Sequence, residues 1–383
     1  MESRLAQELE LLDRNGELRV LPSALHCGRY IEIDGRRLLN LSSNDYLGLA
    51  TDKALRDEFF GACPAAEMSM SASSSRLLTG NFEVYESCER LLSEMFGGRS
   101  ALLLDSGYHM NSGILPAVST SRTLIVADKL VHASIIDGMR LSRAQTLRYR
   151  HNDMRHLTAI VEQNKDKFDE IIIATESIFS MDGDAAPLAE MVELKRHFEN
   201  VYLYVDEAHA IGVYGPTGLG MAEQLGVIKD IDFLAGTLGK ALASVGGYLI
   251  CNPTVKRYLV NKMRTLIFTT ALPPINIHWT RFILGRIRSM NDKREHLACI
   301  AGRLRDAMRA AGRTSVSTSH IVPMVIGGSN EAVARAAELR EAGFYVLPVR
   351  PPTVPQGTSR VRFSLSAAVT DTEMDSIINA IGL

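Results

Sequence analysis

This sequence predicts an α/β chain, with a mostly parallel central sheet in a large domain and a smaller α+β carboxy-terminal domain. Three observations carry that prediction. From about residue 100, short β-rich runs alternate with helical stretches: SALLLDSG, TLIVAD, QTLRYR, EIIIATES, VYLYVDEAH, DFLAGTLG and GGYLIC. Several of these runs are apolar at consecutive rather than alternate positions, as expected of parallel strands covered by helices on both faces. After Thr270 the two prolines of ALPP interrupt the chain, and longer helical patterns follow.

The elements follow in order. Leu5, Leu9 and Leu12 recur at helical spacing, so the amino terminus reads as an ordinary first helix. YIEIDGRRLLNL reads as a hairpin turning at Asp34-Gly35, a pair suited to the left-handed turn conformation. The serine-rich stretch 69–75 is a short loop. Over 187–198, Pro187 suits a first helical turn, and Leu188, Met191, Val192 and Leu194 form a buried stripe. Beyond the prolines come helices over 275–290 and 291–311, a strand in HIVPMVIGG, a helix over 331–342, and strands in FYVLPV and RVRFSLS. The expected domains are an amino-terminal arm at 1–45, a large domain at 46–275 and a small domain at 276–383.

Composition removes several function classes. The 383 residues hold 42 Lys and Arg against 44 Asp and Glu, with no basic run, so nothing marks a nucleic-acid or anionic-membrane partner. No stretch of about 18 apolar residues offers a membrane span. The amino terminus resembles neither a secretory nor an organelle-targeting peptide. Cys27, Cys63, Cys88, Cys251 and Cys299 are scattered and form no CxxC pair, which argues against disulfides or thiolate metal sites and for a reducing cytoplasm. Most of them read as small core residues.

The residues with chemical potential stand just after the apolar runs. In open α/β sheets, chemistry gathers at the carboxyl ends of the strands. Asp206 ends VYLYV and His209 follows it by three; Lys240 lies in a small-residue turn after the next run. Such a set suits a pyridoxal phosphate (PLP) site, with Lys240 as the Schiff-base lysine and Asp206 as partner of the pyridinium nitrogen. On these residues alone, a strand-capping Asp206 and a solvated Lys240 remain open. Ser106, Gly107 and Tyr108 begin a helix after LLLD, where backbone N–H groups cradle phosphate. No GxGxxG follows a strand and no GxxxxGK[ST] occurs, so dinucleotide and P-loop readings lose their support. His132 follows TLIVAD, where an imidazole can stack on a ring or simply cap a helix. His132, Asp206 and His209 are metal-ligand types without a metal-site spacing, and no metal is expected.

Taken together, SSNDYLGLA, SRLLTGN, SGYHMN, DKLVHASIIDG, ESIFSMDGD, VDEAHAIGVYGPTGLG, TLGKA, FTTALPP and RVRFSLSA resemble, in order and over nearly the whole chain, the α-oxoamine synthases of the fold-type I PLP enzymes. The resemblance implies PLP as cofactor, Lys240 as its covalent anchor and base, Asp206 on the ring nitrogen, His209 on the phenolic oxygen and His132 against the ring face. It implies that Ser180, and less directly Glu176, line the pocket. Ser106, Gly107, Tyr108 and Thr237 would hold the phosphate, with Thr269 or Thr270 from a neighbouring subunit, hence a homodimer with shared sites. Arg362 would take the substrate carboxylate, with Asn44 orienting it.

Within the family, SSNDYLGL and the closing PPTVPQGTSRVRFSLSAA are nearest the branch that joins L-alanine to pimeloyl-CoA or pimeloyl-acyl carrier protein for biotin synthesis. The branches acting on glycine or serine are the nearest alternatives, and a non-catalytic scaffold subunit is a more distant one. The chain departs from the family where Ser71, Ala72, Ser73 and Ser74 replace the usual glycines, and where Tyr85 replaces a histidine. These changes bear on acyl-chain and carrier contacts rather than on the ring.

Overall fold

The computed structural model describes residues 1–64, 67–313 and 315–382. The chain divides into two compact units, Met1–Asp52 with Ser180–Asp184 and Glu295–Leu383, and Lys53–Phe179 with Ala185–Arg294. The amino-terminal arm therefore belongs with the carboxy-terminal lobe rather than standing alone. The boundary expected at 275 moves to 294, because helix Pro274–Leu284 packs through Trp279 and Phe282 on Phe59 of helix Lys53–Ala62.

In the first unit, strands β1 (Leu25–Cys27), β2 (Tyr30–Ile33) and β3 (Arg36–Asn40) run antiparallel in sequence. The β2–β3 turn falls at Asp34-Gly35, with φ of 53° and 73°, the left-handed pair the sequence predicts. Helix Glu2–Arg14 forms as expected but buries none of its residues.

The second unit holds a seven-stranded sheet of β4 (Ser100–Leu104), β5 (Thr123–Asp128), β6 (Gln145–Tyr149), β7 (Glu170–Glu176), β8 (Val201–Asp206), β9 (Phe233–Thr237) and β10 (Gly247–Cys251). Its spatial order is β4-β10-β9-β8-β7-β5-β6. Only β10 is antiparallel to its neighbours, β4 and β9. The other six strands therefore point the same way, and their carboxyl ends share one edge. Every residue of β5, β9 and β10 is buried, which explains their unbroken apolar runs. Helices Gly107–Val118 and Ala133–Leu141 pack on this sheet through Met110, Ile114, Leu115, Ile135 and Met139.

The first unit is completed by β11 (Ile321–Gly327), β12 (Phe344–Tyr345), β13 (Pro348–Val349) and β14 (Ser359–Ser364). β12 adds parallel to β3, and β14 lies between β11 and β13. Three local expectations shift. Pro187 is the residue before helix Leu188–Arg196 rather than within its first turn, though the predicted stripe is buried. The helix expected over 275–290 ends at Leu284, and a short 3₁₀ turn follows at Ile287–Ser289. Of the five free cysteines only Cys88 and Cys251 are buried.

One buried carboxyl ties the sheet to the loop beyond it. Glu207 is fully buried and accepts hydrogen bonds from Ser177 Oγ and from the backbone N–H groups of Met221 (3.0 Å) and Ala222 (2.7 Å). Burial pushes its pKa up to about 7, against the opposing effect of those donors. Gly220, at φ 114°, has no room for a side chain, because a Cβ would stand 2.7 Å from this carboxyl carbon. A raised carboxyl pKa contributes stability that is complete below the unfolded value and is lost as pH rises through the folded one. Urea unfolding of wild type and Glu207→Gln should therefore differ in slope. The wild type's advantage over the variant should shrink by up to ~3 kcal/mol between pH 4.5 and 7; a constant difference would show that Glu207 does not titrate there.

Candidate active site

The parallel strands deliver the expected ring residues to the carboxyl edge of the large sheet. β4 leads into Ser106, which caps helix Gly107–Val118 by accepting from His109 N at 3.0 Å. The first turn of that helix presents the backbone N–H groups a phosphate needs. Gly107 lies close to Thr237 at the end of β9, since a Cβ on Gly107 would be 3.6 Å from the Thr237 hydroxyl. Tyr108, half exposed, donates its hydroxyl to Asp137.

β8 ends at Asp206, in register with Glu176 of β7 on one side and Ala235 of β9 on the other. Asp206 Oδ1 accepts from Ala208 N at 2.9 Å, and Oδ2 accepts from Asn111 Nδ2 at 2.7 Å. His209, three residues on, is buried and lies 2.7 Å through Nε2 from the Nζ of half-buried Lys240. The turn carrying Lys240 is held from several directions. Ala243 N donates to Lys240 O and Ser244 N to Leu238 O, each at 2.9 Å. Trp279 Nε1 donates to Ala243 O at 2.8 Å, and Ser244 Oγ meets Thr280 Oγ1 at 2.7 Å. Ala243 itself sits at φ 48°, a conformation that a side chain disfavours.

His132 caps helix Ala133–Leu141 through Nδ1, which accepts from Ser134 N at 3.3 Å. Desolvation of the ring holds its pKa below the usual imidazole value, with Asp206 opposing. Glu176 is buried and its Oε1 has no hydrogen-bond partner among the described residues. Burial first, and then the neighbouring Asp206 charge, raise the Glu176 pKa to about 8, so it is mostly a neutral acid at pH 7.

Ser180, Arg362 and Asn44 lie in the other unit. Ser180 O accepts from Arg362 Nε at 2.6 Å. Arg360 bonds Asp182 in the same segment, so both arginines of RVRFS face one way, as their alternation predicts. Asn44 Oδ1 accepts from Tyr46 OH at 3.0 Å.

Both departures from the family pattern lead to the segment bearing Thr269 and Thr270. Ser73 adopts φ 50° where glycine is usual, and Ser74 O accepts from Ala271 N at 2.9 Å. Tyr85, buried under the Arg76 guanidinium, donates to Leu272 O at 3.1 Å. Burial raises the pKa of Asp105, with neighbouring Thr269 opposing that shift. Asn111, Ser134, Asp105 and Trp279 carry no local signal that marks them in the sequence. Asn111 stands inside SGYHMN, but its partner Asp206 is 95 residues away.

These groups fit PLP. A primary amine, a strand-end carboxylate, two imidazoles and a helix amino terminus converge on one edge, matching the aldehyde, ring nitrogen, ring face and phosphate of that cofactor. The aminotransferase class I and II family model matches residues 36–381. A Haemophilus influenzae protein provisionally named 8-amino-7-oxononanoate synthase is 51% identical over 368 residues, 96% of this chain and 97% of its own length. A Neisseria meningitidis serogroup C protein with the same provisional name is 53% identical over 370 residues, with 96% and 97% covered. Serine palmitoyltransferase from S. paucimobilis, solved with a PLP–myriocin adduct, superposes with a TM-score of 0.90 at 27% identity, covering 98% of this chain and 95% of that one. 8-Amino-7-oxononanoate synthase from Francisella tularensis does so with a TM-score of 0.74 at 26% identity, covering 90% and 96%. The chain therefore belongs to the class I and II aminotransferase family, in its α-oxoamine synthase branch of PLP-dependent, fold-type I enzymes.

Proposed function

We propose that the chain condenses L-alanine with a pimeloyl thioester and decarboxylates the product, releasing 8-amino-7-oxononanoate, carbon dioxide and the free thiol of coenzyme A or an acyl carrier protein. The observation that carries this reading is the 2.7 Å contact of Lys240 Nζ with His209 Nε2, three residues beyond the strand-end Asp206, in a chain about half identical to relatives provisionally named for that reaction. When bound, PLP supplies a ring that withdraws electrons from the amino-acid Cα. Lys240 holds the cofactor through Nζ; once its amine is released, the same nitrogen takes the Cα proton, with His209 beside it to keep that nitrogen placed. Asp206 would supply the negative charge that keeps the ring nitrogen protonated, and His132 would pack against the ring face. The helix start at Ser106 to Tyr108, with Thr237, binds the phosphate.

Arg362 takes the alanine carboxylate through its terminal nitrogens, its Nε being anchored on Ser180 O. Asn44 orients that carboxylate. The carbon–carbon bond to the thioester carbonyl forms as the thiolate leaves, and the carboxylate then departs as carbon dioxide, with one proton taken up overall. We assign the functional unit to a homodimer in the cytoplasm, with Thr269 or Thr270 serving the partner's phosphate. The raised Glu176 pKa keeps a second full negative charge away from Asp206 at neutral pH.

Two measurements test this reading. Lys240→Ala should abolish the lysine-dependent visible absorbance of the PLP-loaded protein and lower turnover by at least roughly 10²–10⁴-fold; an unchanged band would reject Lys240 as the anchor. In steady-state assays crossing alanine, glycine and serine with pimeloyl, acetyl, succinyl and palmitoyl thioesters, kcat/KM should be highest for alanine with pimeloyl. A preference for another pair would move the chain to a different branch of the family.

A further inference from the structure

Asn111 is buried to 2% exposure, and both ends of its side-chain amide are hydrogen-bonded. Its Oδ1 accepts from the fully buried Tyr204 OH at 2.5 Å. The Asp206 carboxylate on the other side of the amide can only accept, so the Nδ2 group faces it and the tyrosine hydroxyl donates to Oδ1. That group donates one hydrogen to Asp206 Oδ2 at 2.7 Å and the other to Ser134 Oγ at 2.9 Å. Ser134 Oγ, having accepted from Asn111, has its own hydrogen left for His132 Nδ1, 2.7 Å away. The Ser134 backbone N–H also points at Nδ1, at 3.3 Å. Two donors on one ring nitrogen require a lone pair there, so the His132 proton resides on Nε2.

We propose that Asn111 is a positioning residue that sets two ring contacts at once, orienting the Asp206 carboxylate directly and fixing the Nε2–H form of His132 through Ser134. The arrangement depends on helices Gly107–Val118 and Ala133–Leu141 approaching closely. Gly138 permits this, because a Cβ there would stand 2.4 Å from Asn111 O. The inference rests on Asp206 and His132 being ring contacts, as proposed above, but not on the identity of the amino acid or thioester.

The test uses the full-length chain, with and without PLP. Histidine-selective nitrogen labelling, with assignment by a His132→Gln variant, should report Nε2 protonated in wild type. Ser134→Ala should shift His132 toward a mixture of tautomers and leave PLP affinity within about twofold. Asn111→Ala should produce the same tautomer mixture and also weaken PLP binding about tenfold or more, as expected for losing a hydrogen bond to a carboxylate. The double variant should match Asn111→Ala alone. Tyr204→Phe, which keeps the ring and removes the hydroxyl, should show both effects more weakly, and it carries the test if Asn111→Ala does not fold. Nδ1 protonated in wild type would overturn the proposal, as would loss of thermal stability in Asn111→Ala with unchanged tautomer and PLP affinity. Failure of the alanine and pimeloyl assay alongside the expected tautomer and affinity results would overturn the reaction assigned above and leave this inference standing.

Discussion

The site depends on the direction of the strands. In the seven-stranded sheet six strands run parallel and only β10 opposes its neighbours, so the ends of β4, β5, β7, β8 and β9 arrive at one edge. Each end delivers a different group: a capped helix start, His132, Glu176, Asp206, and the turn bearing Lys240. Parallel pairing forces every connection to cross back over the sheet, usually as a helix. Strands β5, β9 and β10 are buried along their whole length, which accounts for their apolar sequences, while the edge strand β6 is largely exposed.

This edge concentrates charged and titratable groups where little water reaches them. Asp206 meets the demand with hydrogen bonds from Asn111 and from the backbone of Ala208. Glu176, its neighbour in register, meets it instead by holding a proton. Glu207, the next residue in the chain, turns to the opposite side of the strand, where backbone N–H groups of Met221 and Ala222 hold it. Three carboxyls within one small region therefore follow different electrostatic routes. A cluster of three full negative charges in a buried site would be costly, and their separation into hydrogen-bonded and protonated forms limits that cost.

The lysine turn shows a related division. Its left-handed Ala243 is a local cost, offset by a Trp279 hydrogen bond and by the Ser244–Thr280 pair from a helix more than 30 residues away. The serine-rich loop and Tyr85, both unusual against the family pattern, meet at the Ala271–Leu272 backbone beside Thr269 and Thr270. Their effect falls on the segment that presents those threonines, a consequence that the list of replaced glycines does not disclose.

The amino-acid sequence by itself determined the α/β class, all seven strands of the large sheet, the Asp34-Gly35 turn and the order of Asp206, His209 and Lys240. Each is written in local periodicity, turn chemistry or spacing along the chain. It also carried the family resemblance, because the motifs stand in order over nearly the whole chain. Tertiary structure alone decided that the amino-terminal arm joins the carboxy-terminal unit and that the boundary lies at 294 rather than 275, since packing between distant segments sets both. It alone brought Asn111 to Asp206 and Ser134. Those contacts join residues 95 and 23 positions apart, across a helix approach that a side chain at Gly138 would block, and no local pattern encodes such a distance.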